Sequence, residues 1–212
     1  MDQTAYFEQM RQKRRTEILH AARQLVLEHG LHAFTMQQLA RSLDISTVTL
    51  YKYFKNSEDV MEALQQHALQ SCSVSGILLP SSDDPLKDFF EICLYCFDQL
   101  EAHRPDIALI VLTGSYLQSR DLPAKTIPAL PYPADFYQKQ LRLLEAARQN
   151  GQLSPSVVLP DTLQMMNRIL DSVLRQMSLL PDEAFPDREE LRRQAREMIF
   201  MFRACLTTEQ QV

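Results

Sequence analysis

Thr47, Thr49, Tyr51, Lys52, Tyr53 and Lys55 crowd into one short stretch of this chain. Hydroxyl and ammonium groups bond well to phosphate oxygens, and a threonine can also meet a base edge or a thymine methyl. The chemistry these residues suit is a non-covalent grip on a nucleic-acid duplex. Arg11, Lys13, Arg14 and Arg15 lie upstream as a basic arm. Such an arm suits phosphates or a minor groove.

Rival chemistries are thinner. Cys93 and Cys96 form a C-x-x-C pair that allows a redox or metal role. No second Cys/His pair completes a zinc site, and buried cysteine is common, so packing is expected there. His29 and His32 straddle Gly30 and make a poor metal pair. The chain shows no phosphate-binding glycine loop, nucleophile elbow or metalloprotease motif. Neither an enzyme nor a metal or cofactor is expected.

Bulk properties agree with a folded helical protein. The 212 residues are 45% hydrophobic and 23% charged, enough to bury a core. Glycine occurs only four times, and good helix formers abound. Net charge is −5, but residues 1–57 carry eight Lys/Arg against five Asp/Glu. A basic head on an acidic body suits a DNA-binding end. No run of 18 apolar residues and no apolar signal core are present. The four cysteines show no disulfide framework. No membrane partner and a cytoplasmic location are expected.

The elements that must hold these residues can be read from spacing. Ile18, Leu19, Ala22, Leu25 and Val26 give one face of a helix from about Ala5 to His29, with Gly30 as a left-handed cap. Thr35 with Gln38 reads as a capping box for a short second helix. Asp44-Ile45-Ser46 is a turn, and a third helix ends near Phe54. Phe34, Leu39, Leu43, Ile45, Leu50 and Phe54 would close a small core against the first helix. Ser57 reads as the N-cap of a fourth helix, with Glu58 and Asp59 complementing its dipole. Further helices are expected at about 86–102, 106–118, 134–150, 161–179 and 188–206. Residues 80–85, 103–105 and the four-proline stretch 120–133 are breaks or loops. That makes about nine helices. A generic three-helix bundle with a solvated face remains the alternative for the head.

From Ile18 to Leu64 the sequence resembles the TetR family of transcriptional regulators without a gap. The matching residues are Ile18, Ala21-Ala22, Gly30, Thr35, Leu39-Ala40, Ile45-Ser46, Leu50-Tyr51 and Phe54-Lys55-Asn56. The resemblance implies an all-α fold with a three-helix helix-turn-helix head over residues 1–56. A helical effector-binding and dimerisation body would cover 57–212. It implies a homodimer on a near-palindromic double-stranded operator, acting as a repressor and released by a small molecule. Thr47, Val48, Thr49 and Lys52 would read bases. Tyr51, Tyr53 and Lys55 would hold the backbone, and Thr35 and Gln37 would contact phosphate or flanking bases. Three positions depart from the family pattern: Asp44 stands where glycine is usual, Val48 where a small residue is common, and Ser57 where lysine is common.

In the body, Leu163, Met166, Leu170, Val173 and Met177 recur at steps of 3 and 4, as do Leu191, Ala195, Met198, Phe202 and Cys205. Both read as coiled-coil-like seams for a dimer face, or as packing inside one subunit. Ile169, Ile199 and Leu206 widen them. His67, Phe89, Phe90, Cys93, Phe97, Ile110, Leu112, Thr113, Tyr116, Phe136 and Tyr137 are candidates to line a mostly apolar effector cavity, or are plain core. A DNA-bound scaffold answering to a protein partner, with no small effector, is the other functional reading.

Overall fold

The computed structural model describes residues 3–72, 82–120 and 135–207. Among them are eight α-helices, two short 3-10 turns and no strand. The helices are α1 (Gln3–His29), α2 (Met36–Ser42), α3 (Thr47–Tyr51), α4 (Ser57–Ser71), α5 (Pro85–Gln118), α6 (Phe136–Gln149), α7 (Leu159–Ser178) and α8 (Arg188–Thr207). No described helix is long and apolar enough to cross a membrane. The proline stretch expected as a loop falls almost entirely outside the described residues, as do the first two residues of the expected break at 80–85; its residues 82–84 are irregular and lead into α5.

The count is one helix fewer than the spacing suggests, because the break expected at 103–105 is a kink. His103 leaves helical geometry (φ −123°, ψ 19°) two residues before Pro105, yet the helix resumes at once. A proline removes one backbone donor and crowds the preceding turn, which bends a helix without having to end it.

By packing, the chain groups into two compact units, Met1–Ser71 with Pro105–Pro128 and Cys72–Arg104 with Ala129–Val212. The division expected at residue 56 concerns function. Packing instead keeps α4 with the head, because Val60, Met61 and Leu64 are buried there with Ile18, Ala22 and Val26 of α1. In the same unit, Arg23 of α1 forms a half-buried ion pair with Asp106 of α5.

The second unit is built on the apolar faces of α6, α7 and α8 and the first part of α5. Phe89 and Phe90 meet edge to face, with ring centroids 5.3 Å apart. Gln140 and Asn167 exchange two amide hydrogen bonds (3.2 and 2.8 Å) between α6 and α7, which satisfies a fully buried glutamine. The α7–α8 linker is held by Arg104, which stacks over Phe185 at 4.2 Å and donates to the Asp182 carboxylate (2.8 Å) and the Leu180 carbonyl.

Two helix ends show how local sequence stops an element. Gly151 follows α6 with φ +70°. Its N–H bonds the Arg148 carbonyl (3.0 Å), and the Gln152 N–H reaches back to Ala147 (2.9 Å). This is the Schellman arrangement, which needs a left-handed residue. Gly30 also has positive φ (77°), but its ψ of 171° is extended and not left-handed helical. The cap expected there is therefore a sharper corner, in a region open essentially to glycine alone.

Candidate nucleic-acid interface

Thr35 caps α2 from an extended backbone, accepting from the Gln38 N–H at 3.1 Å. The expected box closes differently at its return arm: the Thr35 hydroxyl donates to Gln38 Oε1 (3.0 Å). After Leu43 the chain turns through Asp44, the one non-glycine residue with positive φ (51°) among those described. Asp44 N–H bonds Arg41 O (3.1 Å) and Ile45 N–H bonds Ala40 O (3.0 Å), the same Schellman pattern as at Gly151. This turn fixes the exit of α2 and so the entry of α3.

Ser46 caps α3, accepting from the Thr49 N–H (3.0 Å), while its hydroxyl also meets the Thr49 hydroxyl (2.9 Å). Part of the Thr49 bonding capacity is thus spent within the cap. Leu50 and Phe54 are buried, at 0% and 1% exposure, beneath α3. They join Leu39, Phe34, Met36 and Ala40 with the α1 face. Of the expected core, Leu25, Leu43 and Ile45 remain half-buried at the margin.

With Leu50 and Phe54 turned inward, the opposite edge must face out. Val48 is 69% exposed and Tyr51 52%, and Lys52 and Lys55 are exposed as well. Spacings of three and four residues place Val48, Tyr51 and the C-cap Lys52 on one side of α3, and Lys55 lies beyond its end. Thr47, Thr49 and Tyr53 are half-buried beside them, and Thr35 and Gln37 are exposed on α2. Every residue expected to touch DNA is therefore on or at the edge of solvent. Val48 puts an apolar surface in the middle of an otherwise hydrogen-bonding edge, which suits a thymine methyl.

Two expectations near this edge are corrected. The residue that caps α4 is Asn56, whose Oδ1 accepts from the Asp59 N–H (2.8 Å), and Asp59 Oδ2 returns to the Lys55 N–H (3.0 Å). Ser57 is the first helical residue instead. An amide one residue earlier in the chain won the cap because Asp59 can close the box with it. The basic arm is not a segment ahead of the first helix but part of α1. Arg11 and Lys13 are exposed, Arg14 pairs with Glu17 at 2.7 Å, and Arg15 turns inward. The Arg15 guanidinium donates to the Tyr53 carbonyl (2.7 Å) and lies 4.0 Å over the Phe54 ring. Sequence spacing gave no hint of this tie, because the partners lie 38 residues apart.

The candidate effector residues divide between the units. His67, Ile110, Thr113 and Tyr116 lie in the first; Phe89, Phe90, Cys93, Phe97, Phe136 and Tyr137 lie in the second. Most are packed shut. Ile110 and Thr113 are fully buried, and the Thr113 hydroxyl donates to Leu109 O (2.6 Å). Leu112 is half-buried, as is Tyr116, under the Arg120 guanidinium. Phe89, Phe90, Cys93, Phe97 and Phe136 are buried in their own unit, and Tyr137 is half-buried. Burial pushes the Cys93 thiol well above the usual range, and the neighbouring Cys96 adds to this. That disfavours the thiolate a redox role requires. His67 is exposed and borders a cleft of about 80 Å³ with Thr16, Leu19, His20, Arg23, Leu64 and Leu109. Small-molecule sites span roughly 300–1,000 Å³, so the cleft is too small to enclose a ligand of that size.

The seams expected to form a dimer face are also placed otherwise. Leu163, Met166, Leu170, Met177, Leu191, Ala195, Met198 and Phe202 are buried within the chain's own second unit. Val173 is half-buried, and only Cys205 is exposed. Side chains enclosed in this way have no surface left for a second copy. The strongest apolar stripe of each helix was taken by the nearest apolar surface, that of its own subunit. The widening residues divide too: Ile169 is exposed, Ile199 half-buried and Leu206 buried. What remains outside is a second, weaker stripe. Val158 precedes α7, which carries Met165 (61% exposed) and Ile169, and α8 carries Phe200 (74%) and Met201.

Residues 18–64 match the model for bacterial regulatory proteins of the tetR family. An uncharacterized HTH-type transcriptional regulator of Bacillus subtilis, YvkB, is 36% identical over 94 residues, covering 44% of this chain and 48% of that protein. The HTH-type transcriptional regulator UidR of Escherichia coli K12 is 40% identical over 53 residues, covering 25% and 27%. The matched stretch thus spans at most about half the length of these relatives. Two solved structures share the fold. One is a tetR-family regulatory protein from Rhodococcus RHA1 (TM-score 0.63, 17% identity, covering 92% of this chain and 98% of that one). The other is the TetR-family regulator PfmR from Thermus thermophilus (TM-score 0.59, 19% identity, covering 86% and 97%).

Proposed function

We propose that the chain, whose residues 18–64 match the model for bacterial regulatory proteins of the tetR family, is a cytoplasmic homodimeric repressor of transcription of that family. Each copy lays α3 in a major groove of a near-palindromic operator, with the two half-sites about 34–36 Å apart. The observation that carries this reading is the outward edge Val48, Tyr51 and Lys52 of capped α3, continued by exposed Lys55 just past its end, while Leu50 and the following Phe54 are buried beneath it. Lys52 meets base edges, and Lys55, with Tyr51 and Tyr53, holds the phosphate backbone. Val48, with the flanks of Thr47 and Thr49, supplies base discrimination. Thr35 and Gln37 reach the backbone from α2.

The large apolar side chains left exposed on both helices, Met165 and Ile169 on α7 and Phe200 and Met201 on α8, support pairing of two copies through α7 and α8. A two-fold axis would pair each helix with its own copy or its neighbour's, forming a four-helix bundle.

Release by a largely apolar small molecule is the regulatory part of the proposal. Phe89, Phe90, Cys93, Phe97, Phe136 and Tyr137 are its candidate contacts in the second unit. Because these side chains are packed shut, the molecule must stabilise an opened conformation, and only its differential affinity for that state can shift DNA binding. The same closed packing favours a second reading, in which a protein partner takes the place of a small effector.

The test is selection of duplexes from a random pool by the full chain, followed by affinity measurements on Lys52→Ala and Tyr51→Ala. Loss of a bidentate or charged contact costs roughly tenfold or more in affinity for the selected duplex. Wild-type affinity in both variants would remove α3 from the interface.

A further inference from the structure

We propose that Arg15 is a positioning residue for DNA reading: it holds the end of α3 in place and does not serve as one of the basic arm's phosphate contacts. This rests on the reading of α3 as the DNA-contacting helix. α3 spans five residues, too few to persist without support, since isolated helices shorter than about 12–15 residues are marginal in water. Its start is fixed by Ser46 and its underside by Leu50. Its end is where Arg15 acts. The last carbonyls of a helix lack intrahelical partners, and Tyr53 O, just past the end of α3, accepts from Arg15 at 2.7 Å. The next residue, Phe54, is 1% exposed and carries the guanidinium over its ring at 4.0 Å. One side chain of α1 thus fixes two consecutive residues directly after Tyr51 and Lys52.

The neighbouring cations differ. Arg11 and Lys13 point to solvent, and Arg14 pairs with Glu17 on its own helix. Arg15 alone of the four is committed to the DNA-reading segment. The commitment needs a planar fork that stacks on a ring while donating in its plane. A lysine ammonium offers charge but no plane, so it cannot reproduce both contacts.

The experiment uses the full chain with Arg15→Ala, Arg15→Lys and the uncharged Arg15→Gln, the last in case the alanine variant does not fold. Amide hydrogen exchange is read at Lys52, Tyr53 and Phe54, whose N–H groups close the end of α3, and at Leu170 in the other unit as a control. Exchange at the three α3 amides should quicken by roughly tenfold or more in every variant, lysine included, and remain unchanged at Leu170. Affinity for the selected duplex should fall by roughly ten- to a hundredfold in every variant, while the slope of log affinity against log salt stays at the wild-type value. A phosphate contact would behave in the opposite way: lysine would restore affinity, and alanine would lower the slope by about one. Either of those results overturns the proposal. So does unchanged exchange at the three amides, and that readout needs no DNA. If the wild-type chain selects no duplex, the DNA-reading proposal fails, and exchange still decides whether Arg15 fixes the end of α3.

Discussion

Asp44 should be replaceable by glycine with a gain in stability, and the chain contains its own control. Asp44 and Gly151 occupy the same position of the same helix-ending motif, at φ +51° and +70°. A residue with a Cβ in this conformation carries about 1–2 kcal/mol of strain. Glycine carries none, but it frees the unfolded chain and so gives back about 0.4–1 kcal/mol. Gly151→Ala should therefore cost about 1 kcal/mol. A Cβ there meets nothing within 4 Å, so no clash adds to that figure. Aspartate tolerates the left-handed region better than alanine does. Asp44→Gly should thus gain only about 0.5 kcal/mol, and Asp44→Ala should lose about as much. The gap between glycine and alanine at 44 should match the gap at 151. The chain has no tryptophan, so urea unfolding is best followed by helical circular dichroism. Equal stability of Asp44→Ala and Asp44→Gly, alongside a measurable loss in Gly151→Ala, would refute the argument that backbone strain at residue 44 is what glycine relieves. Because the turn keeps its hydrogen bonds, Asp44→Gly should also leave operator affinity within about threefold, a change below 1 kcal/mol.

Two further outcomes are expected. Met165→Glu and Phe200→Glu each place a carboxylate in the proposed pairing face. An unpaired buried charge costs about 3 kcal/mol or more, so the dimer should weaken by over a hundredfold. Light scattering on the eluting protein reads this directly, and a wild-type chain that runs as a monomer at micromolar concentration would refute the assignment. On α8, hydrogen bonds from Arg193 and then Gln194 lower the Glu190 carboxyl from 4.5 to about 2. A lowered carboxyl stabilises the fold fully above its unfolded value and loses that contribution as pH falls from about 4.5 through about 2. A carbon-detected NMR titration should place its midpoint near 2, and Arg193→Gln should move it up toward 4.5. A wild-type midpoint already at 4.5 would dismiss the ion pair.

How much of this was legible in the residues follows from the range of each interaction. The caps at Thr35 and Ser46, the turn at Asp44 and the inward set Leu39, Leu50 and Phe54 are local matters, decided within three or four residues by side-chain reach and helical period. They were readable, and with them the outward edge of α3. The cap at Asn56 was missed by one position because two adjacent polar residues competed and a third residue, Asp59, settled the choice.

The sequence by itself determined nearly all of the helices, several of their ends and the solvent-facing edge of α3, because periodicity and capping are short-range. Only the tertiary structure decided which apolar stripe each helix spends on its own subunit. Leu163, Met166 and Leu170 read first as interface and second as core, a choice spacing cannot make, since hydrophobic attraction has no direction and no memory of which chain supplies the partner. Proximity resolved it: the strongest stripes closed inward, and Met165, Ile169, Phe200 and Met201 were left outside. Arg15 likewise looked like any other basic residue of the arm until the fold brought Tyr53 and Phe54 beside it.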